Sequence, residues 1–187
     1  REEQDQIVRF IAAQDQLVRR FISAKKKQVL AVRELCRAMT EEAARAPQTK
    51  SMRLGVVTTI VERPVERESD HIYTPIGLFN RGRGMFHKES TRGADLGDSS
   101  FYWIEEGDLV ISGQFAWEGA VALARPQDSG CVVSHRYPVL LGRGDMISCP
   151  FLLAFFRTQF GTFLLDQHSR GAAGRNRPLN VRTLLKE

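Results

Sequence analysis

The chain has 187 residues, 42% of them hydrophobic and 26% charged, an ordinary globular composition that excludes wholesale disorder and suits one medium domain with an appendage. No apolar run approaches the ~18 residues of a membrane span, and Arg1-Glu2-Glu3-Gln4 is not a signal peptide, so a soluble, cytoplasmic protein without membrane partners is expected. Net charge is +5, a mild invitation to polyanions that proves nothing alone.

Residues 1–45 contain neither Gly nor Pro and are rich in Ala, Gln, Glu, Lys, Arg and Leu, which predicts one long helix. With position a at Val8, Asp15, Ile22, Val29 and Cys36, and position d at Ile11, Val18, Lys25, Val32 and Met39, eight of ten seam positions are apolar. A second column, Phe10, Leu17, Ala24, Ala31 and Ala38, joined by Ile7, Phe21 and Leu35, makes the stripe wider than one seam. More than one neighbour is expected, with Val8, Ile11, Val18, Ile22, Val29, Val32 and Met39 as packing residues. The competing arrangement is a helix lying across its own domain. Pro47 ends the helix, which divides the chain into 1–47 and 48–187.

After residue 48 the pattern changes. Leu54–Val61 reads as a strand and residues 72–76 as a short one. A meander of short strands follows at residues 101–104, 108–112, 120–124, 130–134 and 137–141. Pro150–Phe160 restores helical spacing, with Pro150 suited to a first turn, and residues 181–185 form either a strand or a final short turn. The fold class is α+β: a long coiled-coil-type helix, then a mixed domain around a twisted sheet of short strands.

Catalytic patterns do not stand out. There is no GxxxxGK[ST], no Asp/Asn-Pro-Pro-aromatic run and no acidic-x-Lys pair, and His71, His87, His135 and His168 lack metal-ligand spacing. Cys36, Cys131 and Cys149 form no CxxC pair, so reduced thiols are expected. Glu105, Glu106 and Asp108 read as a turn of solvated acids. A non-enzyme with no cofactor or metal of its own is expected.

Where the cations sit is more informative. Residues 50–187 hold seventeen Lys+Arg against fifteen Asp+Glu, and fourteen of the seventeen are Arg, whose planar fork suits phosphates and guanine edges. Three loops combine donors with flexible backbone. The first, Phe79-Asn-Arg-Gly-Arg-Gly-Met-Phe86, offers Asn80, Arg81 and Arg83, with Lys88 and Arg92 just beyond. The second, Ser112-Gly-Gln-Phe-Ala-Trp-Glu-Gly119, offers Gln114 and Trp117, a ring that must either bind something or be buried in the core. The third, Ser169-Arg-Gly-Ala-Ala-Gly-Arg-Asn-Arg-Pro-Leu-Asn180, offers Arg170, Arg175, Asn176 and Arg177 as a phosphate clamp. Inward pairing of Arg175 or Arg177 with an acid is the rival reading for that loop.

Four stretches, taken together, resemble the specificity subunit of type I restriction–modification systems. They are Tyr102-Trp-Ile-Glu-Glu-Gly-Asp-Leu-Val-Ile-Ser112, Gly119-Ala-Val-Ala-Leu-Ala124, Gly130-Cys-Val-Val-Ser-His-Arg-Tyr-Pro138 and Ser169–Val181. They resemble a target-recognition domain over residues ~50–187, and Glu3-Gln4-Asp5-Gln6-Ile7-Val8 with the heptads resembles the family's conserved spacer helix. The resemblance implies a non-catalytic subunit that reads half of a bipartite site on double-stranded DNA. It implies docking to methyltransferase and restriction subunits, with S-adenosylmethionine bound by the methyltransferase partner. Family members carry two recognition domains and two helices. This chain is therefore expected to be either a fragment or a half-subunit that self-associates through its helix. The alternative function is a protein–protein scaffold with only non-specific DNA affinity.

Overall fold

In the computed structural model, all residues except 48, 145 and 172–176 are described. They form two compact units, residues 1–39 and 40–187. The first unit lies within helix α1 (Glu2–Arg45), whose first turn carries Glu2, Glu3 and Asp5 and whose last turn carries Arg45, charges that suit the helix dipole. Asp15 and Arg19 pair one turn apart at 2.6 Å, a surface contact of small energetic weight. Lys25 Nζ donates to Gln28 Oε1 at 3.1 Å and lies 5.6 Å from the centre of the Phe21 ring. The apolar columns are exposed: Val8 is 64%, Phe10 65%, Val18 53%, Ile22 46% and Met39 61% accessible. The helix ends two residues before Pro47, and its last turn belongs to the second unit, where Thr40 is buried.

The second unit opens with α2 (Leu54–Val57) and β1 (Thr58–Ile60), so the expected strand at 54–61 is half helical. The cause is tertiary. Leu54 N–H donates to Glu187 O at 2.6 Å and Gly55 N–H to Leu185 O at 2.8 Å. A Cβ on Gly55 would stand 2.8 Å from that carbonyl, so the close approach depends on glycine. Residues 72–78 split at Pro75 into β2 (Ile72–Tyr73) and β3 (Ile76–Leu78), and β4 (Met85–His87) and β5 (Thr91–Arg92) are strands that the sequence pattern does not reveal. Then come β6 (Phe101–Trp103), β7 (Leu109–Ile111), β8 (Val121–Leu123), β9 (Val132–Ser134) and β10 (Val139–Gly142).

One antiparallel sheet runs in the order β1-β10-β7-β8, and β2–β5, β3–β4 and β6–β9 form antiparallel pairs. Both faces of the four-stranded sheet are covered, which explains its apolar runs. Leu109, Ile111, Val121 and Leu140 pack on one side with Leu152, Phe156, Leu164, Leu165 and Leu184. Val110, Ala122 and Val139 alternate to the other side, with Ile76, Met85, Ile104 and Val133.

The expected helix at 150–160 is two helices, α3 (Cys149–Phe156) and α4 (Gln159–Gln167). Apolar spacing runs on through Phe155, Phe156 and Phe160, but Thr158 interrupts it. Its hydroxyl donates to Phe155 O at 2.7 Å and accepts the Gly161 N–H at 3.0 Å, an N-cap for α4. Gly161 lets the helices meet, since a Cβ there would lie 2.1 Å from Phe155 O. Ser148 caps α3, with Pro150 in its first turn, and α5 (Val181–Leu184) ends the chain, capped by Asn180. Among the described residues no helix is long and apolar enough to cross a membrane.

Among the described residues two carboxylates are fully buried. Asp108, expected in a solvated turn, instead accepts both Arg63 Nη1 and Nη2, at 2.7 and 3.2 Å, and the Glu105 N–H at 2.9 Å. The hydrogen bonds from Arg63 to Asp108 outweigh desolvation and hold the guanidinium more firmly protonated than usual. Asp128 accepts the Arg125 N–H (2.9 Å), Arg125 Nε (3.3 Å) and His87 Nε2 (2.8 Å). Burial pushes the Asp128 carboxyl up, but these hydrogen bonds and the Arg125 charge prevail and hold it below the usual carboxylate range.

Asp128→Asn is expected to cost about 1–3 kcal/mol at pH 7, because an amide cannot accept from all three donors. A folded carboxyl that ionises below the unfolded value of ~3.9 stabilises the fold above that pH, and the contribution is lost as pH falls through the folded pKa. Thermal melts of wild type and variant should therefore differ at pH 7 and converge as the pH falls through the folded pKa. A melting-temperature gap that persists undiminished in acid contradicts this assignment.

Candidate nucleic-acid interface

Residues 79–84 form the tip of the β3–β4 hairpin. Arg81 (φ 59°) and Gly82 (φ 60°) are both left-handed, a turn that glycine makes without cost and that Arg81 tolerates because its backbone is held. Arg81 N–H donates to Glu118 O at 2.8 Å and Gly82 N–H to Gly119 O at 2.7 Å. Asn80 Nδ2 donates to Glu118 Oε2, and Arg157 Nη2 donates to Gly82 O. The first and second predicted loops are thereby joined along their backbones.

The second loop contains a 3-10 turn, Ala116–Glu118, that closes on Gly119 in the left-handed region. Gly113 passes close to the neighbouring chain: its N–H donates to Arg136 O at 2.7 Å, where a Cβ would stand 2.5 Å from that oxygen. Its carbonyl accepts Leu179 N–H at 2.7 Å, which brings the exit of the third loop to the same place. Trp117 is half-buried, with the Arg177 guanidinium 4.9 Å from its ring centre, and its Nε1 has no partner among the described residues.

The predicted residues that fall among the described ones divide by their contacts. Arg81 and Gln114 are exposed, and their side chains bond to nothing else among the described residues. Arg83 is exposed but ordered, with Nε donating to Asn80 O at 3.0 Å and the guanidinium 5.1 Å from the Phe79 ring centre. Lys88 and Arg92 are exposed on the β4–β5 side, away from the hairpin tip along the chain. Arg170 is exposed and donates to Gln167 O at 3.1 Å. Arg177 turns inward: it pairs with Asp166 at 2.7 Å and donates to Ser169 O at 3.0 Å. Arg175 and Asn176 lie outside the described residues. Of the seam residues, Val8, Ile11, Val18, Ile22, Val29, Val32 and Met39 are all exposed.

Sequence reasoning did not single out Phe79, Glu118, Arg157 or Asp166. The contacts of Glu118 and Arg157 span 38 and 75 residues of the chain, and no local spacing signals those two.

Nucleophilic chemistry is not supported at the contact between Cys131 and His87. Cys131 Sγ lies 4.0 Å from His87 Nε2, the same nitrogen that is bonded to Asp128. Burial, with the Asp128 charge adding to it, pushes the Cys131 thiol up, the opposite of an activated thiolate.

No family model matches this sequence, and no curated protein matches it either. Solved structures do. The HsdS subunit from Thermoanaerobacter tengcongensis superposes with a TM-score of 0.60 at 14% identity, over 76% of this chain and 39% of that one. A chain from a structure describing complex assembly and conformational transition of the type I R-M system matches with a TM-score of 0.55 at 16% identity, over 72% of this chain and 35% of that one. The chain thus spans well under half the length of these structures. The fold described above is thus similar, over 76% of the chain, to part of the HsdS subunit.

Proposed function

We propose that the chain is the non-catalytic DNA-recognition part of a type I restriction–modification complex. In this reading it reads one half of a bipartite duplex target, and its helix docks methyltransferase and restriction subunits or a second copy. The observation that carries it is the joined loop cluster. Backbone hydrogen bonds lock residues 81–82 to 118–119, so the backbone that carries Arg81, Arg83 and Gln114 has little left to order on binding. Arginine and glutamine are suited to guanine and adenine edges. Lys88, Arg92 and Arg170 supply phosphate contacts, and Arg177 supports the loop from within.

The test is selection from a randomised duplex library with the partner methyltransferase subunit present, at two salt concentrations. An enriched half-site is expected. Arg83→Gln and Gln114→Ala should each relax one position by roughly 1–3 kcal/mol. Arg170→Ala should weaken all sequences alike and flatten the log–log salt slope by about 0.9. Arg177→Ala should lower the melting temperature as well as the affinity, because it breaks the pair with Asp166. Failure to enrich any half-site removes the proposal. Uniform affinity lost by physiological salt favours the scaffold reading, which the exposed helix stripe and the small net charge of residues 50–187 support.

Docking through the helix has its own test. Ile22 and Val29 are exposed in the single chain, so Ile22→Asp with Val29→Asp should leave its fold intact. In an assembly the same charges are buried without partners, at roughly 3–5 kcal/mol per site. Sedimentation should show the complex lost and the monomer unchanged. Undiminished assembly shows that the seam lies elsewhere on the helix.

A further inference from the structure

A cleft of about 340 Å³ opens between residues 64–73 and β6, lined by Pro64, Glu66, Glu68, His71, Tyr73 and Trp103. Three of these residues present aromatic rings to one another. The centroids of His71 and Tyr73 are 4.6 Å apart, those of Tyr73 and Trp103 5.6 Å, and His71 stands edge-on to Trp103 at 6.4 Å. Two of the other three carry carboxylates.

The wall is built rather than accidental. Tyr73 is 2% exposed, and its hydroxyl accepts Glu68 N–H at 3.0 Å and donates to Glu66 O at 3.4 Å, which fixes the backbone that carries both carboxylates. Gly93 holds the far side: its N–H donates to His71 O at 2.9 Å. A Cβ at Gly93 would lie 2.0 Å from Glu68 O and 3.0 Å from the Tyr73 ring, so only glycine allows this packing. The basic side chains nearby are committed elsewhere. Arg67, between the two glutamates, donates to Ser99 O at 2.8 Å and lies 5.7 Å from the Phe101 ring centre. Arg63 is held by Asp108 at 2.7 Å and Glu105 at 3.1 Å. Glu66 and Glu68 are exposed, and neither side chain is bonded among the described residues.

Ring faces attract cations through their quadrupoles, and carboxylates add charge and paired acceptors. The same lining repels phosphate, so this is not a second DNA contact. A flat cation that stacks on an indole while its edge donates to carboxylates satisfies both features at once, which favours guanidinium over ammonium. We propose that this cleft binds a guanidinium group. The inference does not rest on the DNA-binding reading. Its sources are an arginine side chain presented by a partner protein or a small free guanidine, and the chemistry of capture is shared.

The protein has two tryptophans, so two indole N–H signals report on it by NMR, and Trp103→Phe assigns them. Three probes are titrated: N-acetyl-arginine methylamide, agmatine, and N-acetyl-citrulline methylamide as a neutral isostere. The guanidinium probes should shift the Trp103 signal with dissociation constants on the order of a millimolar, as expected of an open site, and the citrulline probe should not. Tighter binding of the capped arginine identifies a protein-borne side chain, and tighter binding of agmatine a free guanidine. Glu66→Gln with Glu68→Gln should weaken both at least about tenfold while the remaining spectrum is preserved. Equal shifts from the citrulline probe, no shift from any probe, or unchanged affinity in the double variant overturns the proposal.

Discussion

The carboxylate of Asp128 is the constraint on which the loop surface depends. It sits in the 125–128 turn between β8 and β9 and, fully buried, collects donors from two parts of the chain: Arg125 within its own turn and His87 at the end of β4. The β3–β4 hairpin is therefore anchored at its base by an ionic hydrogen bond and at its tip by the backbone pairs with residues 118–119. Loss of either partner leaves a buried carboxylate short of a donor, which penalises other arrangements of the hairpin. Asp108 does the same for the crossing segment at Arg63, across 45 residues of chain.

Fixing both ends of the hairpin has a consequence for recognition. A loop that is ordered before it meets a partner loses little conformational entropy on binding, so its donors act at full value. Arg83 illustrates this, since stacking on Phe79 and the bond to Asn80 O hold its guanidinium outward before any ligand arrives. Arg177 shows the opposite assignment. With its charge matched by Asp166 and its plane near Trp117, it maintains the shape of the cluster from behind. Arginines of similar appearance in the sequence thus divide into displayed and supporting groups according to whether an acid lies within reach.

How much of this was legible in the sequence follows the range of the forces involved. The long helix is evident because 45 residues without Gly or Pro leave little alternative, and β6 to β10 are evident because aromatic or β-branched runs stand between glycines. Residues 54–57 mislead because hydrogen bonds donated to carbonyls of the distant C-terminal segment select a helical turn over the strand that their composition favours. The α3–α4 break is hidden because the apolar period continues across Thr158 while its cap interrupts the backbone. Asp108 reads as solvated because its partner, Arg63, is far away in the chain. At the candidate site the residue types were legible one loop at a time. The junction of Asn80 with Glu118, the stacking of Arg177 near Trp117 and the ring cluster of His71, Tyr73 and Trp103 are tertiary facts with no local signature.

We propose that the joined loop cluster is the face that meets DNA. The most direct measurement is photo-crosslinking of the chain, in complex with its methyltransferase partner, to duplexes carrying 5-iodouracil at successive positions, followed by mass spectrometry of the linked peptides. Crosslinks are expected to concentrate in residues 79–86 and 113–119, where Phe79, Phe86, Phe115 and Trp117 offer reactive rings, with none in the acidic stretch 64–73. Crosslinks confined to residues 64–73 or to the long helix, with both loop peptides unmodified, would contradict it.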